Sequence, residues 1–174
     1  MYEIGSYVIK SLNGICKVED IVQMDGMHGE KKKQYYYLSP VNEPTGKLYV
    51  SLDHASNSTR KIMSPEEAYE LIRRIDQIEE LWIDNEKRRE LLYKEAVKSN
   101  DPEKLVGIIK VIYLRRQKRL EQGRKSTATD ERYFKMAEDF LYSEIGFALG
   151  KNKDEVCRLI QKTIQEETGT IPQE

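Results

Sequence analysis

The hydrophobic pattern of the chain changes once, at Ser64-Pro65, and this change limits the possible folds more than any other feature. Before it, short segments rich in β-branched and aromatic residues are separated by turn signals such as Asn13-Gly14. After it, apolar residues recur at spacings of three and four, which is typical of amphipathic helices. The sequence therefore predicts an α+β fold with two domains, residues 1–62 and residues 63–174.

The first domain is predicted to be a small, strongly bent β-barrel of the Tudor or SH3 type. Four or five short strands joined by tight turns favour that architecture. A polar, glycine-containing stretch over residues 25–33 is interpreted as a hairpin loop. The strands are expected near residues 6–9, 15–22, 34–38, 47–52 and 59–62.

The second domain is predicted to be all-α, with about five helices. The first begins at Ser64, where Pro65 suits the first helical position and Glu67 can close a capping box. Its apolar residues are Ala68, Leu71, Ile72, Ile75 and Ile78. The other helices are expected at residues 84–98, from 102 to Gly123, from 127 to Gly150 and from 152 onward, and residues 166–174 look frayed.

The composition restricts the class of protein. Of the 174 residues, 39% are hydrophobic and 34% are charged, and the net charge is −1, which predicts a folded protein with a heavily solvated surface. No apolar run has the length that a membrane span needs, and the first ten residues lack the apolar core of a secretory signal. Cys16 and Cys157 are two isolated thiols, which suit a reducing cytoplasm.

No catalytic or metal site is predicted. His28 and His54 lack a partner at helical spacing that would complete a metal site. Cys16 and Cys157 are interpreted as small core residues, although a helix start near Cys157 could lower the pKa of its thiol. There is no phosphate-binding glycine loop, so we expect no cofactor and no small-molecule substrate.

Three features are candidates for binding a partner. The strand at residues 47–52 is either a sheet edge, which could pair with a partner's strand, or an internal barrel strand. Trp82, the only tryptophan, is either a core anchor or an exposed wedge, and its apolar neighbours favour the core. Lys87-Arg88-Arg89 opposes the dipole of the helix that it begins, and such a local conflict is sometimes functional.

A dense basic cluster lies further along the chain. Between residues 104 and 125 there are eight lysines and arginines and a single acid, Glu121. A cluster of this density could neutralise phosphates, or it could be a solvated helix face that acids elsewhere in the fold balance.

The order and spacing of these features resemble the CarD/CdnL family of bacterial transcription regulators. The resemblance covers about residues 1–165. It is carried by Tyr2-Glu3-Ile4-Gly5-Ser6-Tyr7-Val8, Asn13-Gly14-Ile15-Cys16-Lys17-Val18-Glu19-Asp20-Ile21, Tyr35-Tyr36-Tyr37-Leu38, Lys47-Leu48-Tyr49-Val50-Ser51, Lys87-Arg88-Arg89, Ser99-Asn100-Asp101 and Arg115-Arg116.

The resemblance implies two binding surfaces and a cytoplasmic location, associated with the nucleoid through RNA polymerase. The first domain is similar to the Tudor-like module of the transcription-repair coupling factor, which binds the polymerase β subunit through a strand edge. That edge would consist of Val22, Met24, Lys47, Leu48, Tyr49, Val50 and Ser51. The helical domain would contact promoter DNA, without reading its sequence, at the upstream edge of the bubble and stabilise the open complex. Its DNA-binding residues would be Trp82, Lys87, Arg88, Arg89, Arg115, Arg116, Lys118 and Arg119.

The sequence departs from the family pattern at two places. Lys10-Ser11-Leu12-Asn13-Gly14 replaces a Tyr-Pro-x-His-Gly motif, and Glu86 stands where the family's wedge tryptophan is expected, four residues after Trp82. A second hypothesis is therefore a protein–protein adaptor that binds RNA polymerase or another partner without touching DNA, which the near-neutral charge also favours.

Overall fold

The computed structural model describes residues 1–25 and 32–168. His28 and most of the predicted hairpin loop lie outside these residues, as does the end of the chain beyond residue 168. The chain divides into two compact units, Met1–Ile62 and Met63–Glu174. The first unit is a β-sheet and the second is helical, so the predicted α+β class is confirmed.

The first unit is a five-stranded antiparallel sheet in the order β4-β3-β2-β1-β5. Its strands are β1 (Tyr7–Lys10), β2 (Gly14–Met24), β3 (Lys33–Pro40), β4 (Leu48–Ser51) and β5 (Thr59–Lys61), and a 3₁₀ turn at Leu52–Asn57 joins the last two. Within the described residues no ladder joins β4 to β5, so the predicted closed barrel is not confirmed. The sheet has two edges.

One face of this sheet is the core of the first unit. The register between β2 and β3 shifts between Val18 and Asp20, which marks a bulge that bends the long β2 strand. Alternate residues of the strands point to one side of the sheet and bury their apolar surface there. This core consists of Val8, Cys16, Val18, Tyr36, Leu38, Val50 and Ala55.

The second unit has five α-helices in its described part, preceded in one case by a 3₁₀ turn. They are α1 (Pro65–Arg73), α2 (Arg89–Lys98), α3 (Pro102–Glu121), α4 (Ala128–Leu149) and α5 (Lys153–Thr168). The capping box predicted at Ser64 and Glu67 is present in both directions. Gly150 ends α4 in the left-handed conformation, with φ +63°, as its position in the sequence predicts.

Two helix boundaries differ from the sequence prediction. The first helix ends at Arg73, and Ile75 and Ile78 contribute to the core from the irregular segment that follows. The second helix begins at Arg89 rather than near Asp84, because the Asn85 side chain caps a short 3₁₀ turn at Glu86–Arg88 first. Residues 74–88 between α1 and α2 therefore contain no α-helix, and only their last three form the 3₁₀ turn.

Candidate interaction surfaces

The β4 strand is an edge of the sheet. It pairs with β3, from Tyr35 opposite Ser51 to Leu38 opposite Leu48, and no described strand pairs with its other side. An edge strand offers a row of backbone donors and acceptors to which a strand of another protein can bind. The sequence left open whether residues 47–52 form an edge strand or an internal strand, and in the structure β4 is an edge strand.

The side chains of β4 differ in what they can offer a partner. Val50 is buried in the core of the sheet and Leu48 is half-buried beside it, so neither side chain faces outward. Tyr49 is 49% exposed and stacks on Tyr37, with the ring centroids 5.5 Å apart. A partner at this edge would therefore meet the strand backbone and the aromatic ring of Tyr49.

The expected polymerase-binding surface is not one continuous backbone edge. Val22 and Met24 lie on β2, opposite Tyr35 and Lys33 of β3, and β3 separates them from β4. Sequence reasoning treated residues 22–24 and 47–51 as a single edge, since it had no information on the order of the strands.

Four of the expected residues, Val22, Met24, Tyr49 and Ser51, do share one face of the sheet. Val22, Tyr35 and Ser51 stand opposite one another across three strands, and Tyr37 stands opposite Tyr49 in the adjoining row. This outer face lies opposite the buried Tyr36 and Val50. Sequence reasoning missed Tyr35 and Tyr37 as surface candidates, although the alternation within Tyr35-Tyr36-Tyr37 carried the signal that two of the three rings face outward.

In the helical unit, two of the predicted DNA-binding arginines are bound to acids. Arg115 donates to both carboxylate oxygens of Glu86, at 2.6 and 3.1 Å, and Arg89 donates to Glu86 at 2.6 Å. Hydrogen bonds from Arg115 lower the pKa of the Glu86 carboxyl. The guanidinium Nε atoms of Arg89 and Arg115 also lie 3.3 and 3.4 Å from the carboxylate of Asp130, which is almost completely buried. The Tyr93 hydroxyl donates to the same carboxylate at 3.1 Å.

This group, Glu86, Arg89, Tyr93, Arg115 and Asp130, is called the Asp130 network below. Burial raises the pKa of the Tyr93 phenol well above its usual range. The hydroxyl therefore stays protonated and donates a hydrogen bond to Asp130. The network links the 3₁₀ turn before α2 with α2, α3 and α4. It holds these elements together, and it leaves little of the charge of its two arginines for a partner.

The other predicted cations fall into two groups. Arg116 forms a two-point ion pair with Glu131, at 2.9 and 2.6 Å, and Arg88 pairs with Asp84 at 3.1 Å. Arg119 donates to the backbone carbonyl of Lys125 at 2.7 Å. Lys87 and Lys118 are exposed and have no ion-pair partner among the residues that the structure describes.

Trp82 is 81% exposed, so the interpretation of this residue as core is wrong. Its neighbours Leu81 and Ile83 are half-buried and pack against the helical core. The Leu81 N–H donates to the Gly107 carbonyl of α3 at 3.0 Å, and the Lys110 amino group donates to the carbonyls of Asp76 and Ile78. The segment is thus fixed on both sides of Trp82, and the backbone alternation turns the indole ring outward.

Two close contacts confirm how tightly this segment lies on α3. A side chain at Gly107 would meet the backbone nitrogen of Leu81 at 3.1 Å and the backbone oxygen of Glu79 at 3.2 Å. Acids flank the exposed ring along the chain, at Glu79, Glu80 and Asp84. Trp82 is therefore a fixed aromatic residue in an acidic stretch of chain, and the lysine and arginines of residues 87–89 follow only after that stretch.

Comparison with known protein families matches residues 2–63 to the CarD-like/TRCF RID domain. The first unit of the chain is therefore similar to this domain family. The resemblance to CarD proteins is thereby confirmed for these residues, and the match ends where the helical unit begins. No curated protein matches the chain.

The match to the RID domain supports RNA polymerase binding and a role in transcription. The RID family is a family of protein-interaction domains rather than of catalytic domains. In the described part of the first unit, which is called the RID unit below, the β4 edge and the tyrosine-bearing outer face are two features to which a protein partner could bind.

Neither of the two cysteines has the lowered pKa of a reactive thiol. Burial raises the pKa of the Cys16 thiol to about 11 and also raises the pKa of Cys157, so neither sulfur is an activated nucleophile. In the described part of the chain, no three His, Cys, Asp or Glu side chains converge on a point where a metal could bind. None of the described helices combines the length and the apolar character needed to cross a membrane.

Proposed function

We propose that this protein is a transcription regulator that bridges RNA polymerase and promoter DNA. The RID unit binds the polymerase β subunit, and the helical unit contacts DNA at the upstream edge of the bubble and stabilises the open complex. The observation that carries the proposal is the match of residues 2–63 to the RID family, in a unit whose β4 strand is an edge.

The polymerase half of the proposal uses strand addition. A strand of the β subunit pairs with the backbone of β4, which gives affinity through main-chain hydrogen bonds. The stacked pair of Tyr37 and Tyr49 adds aromatic contact area at a site where both rings already have fixed positions. Val22, Tyr35 and Ser51 extend the contact across the outer face.

The DNA half uses the cations that no acid neutralises, together with the exposed indole. Lys87 and Lys118 can reach phosphates, and Arg88 gives up only a solvent-exposed ion pair to do so. Trp82 is suited to enter a melting base step, because an apolar wedge prolongs a distorted state of the duplex and this ring is already fixed outward. Arg89 and Arg115 act through the Asp130 network, which positions the turn that carries Lys87.

A second candidate, an adaptor without DNA contact, is favoured by a specific observation. Four of the predicted DNA-binding arginines, Arg88, Arg89, Arg115 and Arg116, are paired with carboxylates. Acids at residues 79, 80 and 84 would repel phosphates near Trp82.

The polymerase contact is tested with the full chain and a matched pair of variants. Tyr49→Glu places a charge at the proposed interface, and Tyr69→Glu places the same charge on a tyrosine of similar exposure in the helical unit. We expect the first variant to weaken binding to the purified β subunit at least about tenfold and the second to leave it unchanged. If both variants bind the β subunit equally well, β4 is not part of the interface.

The DNA contact is tested by the salt dependence of open-complex lifetime with and without the protein. Each phosphate contact contributes a slope of roughly −0.9 in the logarithm of affinity against the logarithm of salt concentration. The double variant Lys87→Ala with Lys118→Ala should flatten the slope by about two contacts, and Lys94→Ala with Lys135→Ala serves as the control. If the protein leaves the salt slope unchanged while still binding polymerase, the adaptor hypothesis is the correct one.

A further inference from the structure

The second half of α3 leaves an apolar face uncovered. In its first half the helix buries Leu105, Ile108 and Ile112 in the core. Further along, Tyr113 is 54% exposed, Leu114 is 50% exposed and Leu120 is 70% exposed. Three large apolar side chains within eight residues of one helix are unusual on a surface that solvent alone covers.

Two of these side chains, Tyr113 and Leu120, line a formed groove. Tyr113, Gln117 and Leu120 follow one another at spacings of four and three, so they lie on one face of α3. The turn at residues 123–126 forms the opposite wall, and the open groove has a volume of about 550 Å³.

The turn that closes the groove is tied to the helix. Gly123 adopts φ +67°, the Arg124 N–H donates to the Arg119 carbonyl at 2.8 Å, and the Arg119 side chain donates to the Lys125 carbonyl at 2.7 Å. The groove is therefore present before any partner binds, which lowers the entropic cost of occupying it.

The rim of the groove is basic. Arg124 and Lys125 are exposed and have no ion-pair partner among the described residues, and no acid lines the groove. Arg116 forms the remaining rim, where Glu131 holds it and its guanidinium lies 3.7 Å from the centre of the Phe134 ring.

We propose that this groove binds an acidic amphipathic segment of a partner protein. Leucine or phenylalanine side chains of the segment enter the groove between Tyr113 and Leu120, and its carboxylates meet Arg124 and Lys125. A largely apolar groove, with Tyr113 and Leu120 inside it and cations at the rim, matches a helix-in-groove contact. A site for single-stranded nucleic acid would need a series of aromatic rings for base stacking, and this groove has one, Tyr113. The proposal does not depend on the polymerase contact, because it concerns the helical unit alone.

The test measures fluorescence anisotropy of a fluorescein-labelled 16-residue peptide that has leucine at helical spacing and glutamate elsewhere. We expect the full chain to bind it and the affinity to fall as salt is added, since charges are paired at the rim. Leu120→Ser should weaken binding at least about tenfold, because it removes the most exposed apolar side chain of the groove. Leu91→Ser, at a leucine on α2 that is 48% exposed, is the matched control and should bind as the unchanged chain does.

A charge reversal distinguishes the contribution of the basic rim to peptide binding from the contribution of the apolar side chains in the groove. Arg124→Glu with Lys125→Glu should weaken peptide binding and remove most of its salt dependence, whereas Leu120→Ser should leave the salt dependence in place. Both positions are exposed, so the helical circular dichroism and melting temperature should not change, and this is checked for each variant.

Three results would overturn the proposal. The first is no binding of the peptide, or an equal loss in the Leu91→Ser control. The second is tighter binding of a 16-nucleotide oligothymidylate, lost on Tyr113→Ser, which would assign the groove to nucleic acid. The third is a concentration-dependent increase in mass by sedimentation that Leu120→Ser abolishes, which would assign it to contact between copies of this chain.

Discussion

The β4 edge of the first unit and the predicted DNA-binding residues of the helical unit differ in what they offer a partner. At β4 the backbone of an edge strand is available, and the side chains around it are mostly neutral. On the helical unit the sequence is rich in arginine, but most of these arginines are already bound to acids or to a carbonyl. A run of basic residues is therefore a poor measure of the positive charge that a partner meets, whereas the position of a strand in a sheet determines directly what it can offer.

The largest expected effect comes from breaking the Asp130 network. Replacing Asp130 with Ala removes the carboxylate that Arg89, Arg115 and Tyr93 share, and it leaves two partly buried cations with one exposed acid between them. We expect the free energy of unfolding to fall by about 3–5 kcal/mol. Urea denaturation followed by circular dichroism measures it.

The control for that change is Asp139→Ala, which removes an exposed ion pair with Lys153. It should cost less than about 1 kcal/mol. If the two variants lose similar stability, the arginines of the network are not structural, and the contrast between the two surfaces would not hold.

A smaller effect is expected at the anchor of the Trp82 segment. Lys110→Met keeps the aliphatic stem but removes the amino group that donates to the carbonyls of Asp76 and Ile78. Loss of these charge-assisted hydrogen bonds should lower the unfolding free energy by roughly 1–3 kcal/mol, as measured by urea denaturation. Lys94→Met, at an exposed lysine on α2, should change it by less than about 0.5 kcal/mol, and a similar loss there would show that Lys110 is an ordinary surface lysine.

A substitution in the stacked pair of Tyr37 and Tyr49 tests the surface beside the β4 edge. Tyr37→Leu retains apolar area but loses the ring that stacks on Tyr49. We expect a loss of about 0.5–1.5 kcal/mol in unfolding free energy, together with weaker binding to the β subunit. Tyr113→Leu replaces an exposed tyrosine of the helical unit and should leave both quantities unchanged, so a matching effect there would exclude a special role for the stacked pair.

The smallest expected effect concerns acid stability. The pKa of Glu86 is lowered below its ordinary value of 4.5, first by the hydrogen bond from Arg115, so the folded state favours the ionised carboxylate. The corresponding stability is present above pH 4.5 and is lost as the pH falls through the lowered pKa. Glu86→Gln should reduce the acid-induced loss slightly, by less than about 1 kcal/mol because the group is largely exposed, in denaturation curves recorded between pH 3 and pH 7. An unchanged pH profile would mean that Glu86 holds the arginines only weakly.

Local signals in the sequence predicted the helical unit well, because the groups that define a helix end are neighbours in the chain. The capping box of Ser64 with Glu67 and the Gly150 stop are both present. The long segment after Arg73 was not predicted, since its apolar residues keep helical spacing while their contacts come from α3.

The site could be predicted only in part, since its properties depend on residues far apart in the sequence. Arg115 meets Glu86 across 29 residues and Asp130 across 15, and no spacing rule indicates such partners. The order of the strands, which puts β3 between the two halves of the expected edge, is likewise a property of the folded sheet. The exposure of Trp82 depends on where Gly107 and Lys110 hold the neighbouring chain.

Because Trp82 is the sole tryptophan of the chain and its ring is in water, the protein contains a built-in optical probe at one defined place. Its emission should be red-shifted and readily quenched by iodide in the free protein. A blue shift on adding promoter DNA or polymerase would mean that the ring has entered a drier environment, without any label or substitution.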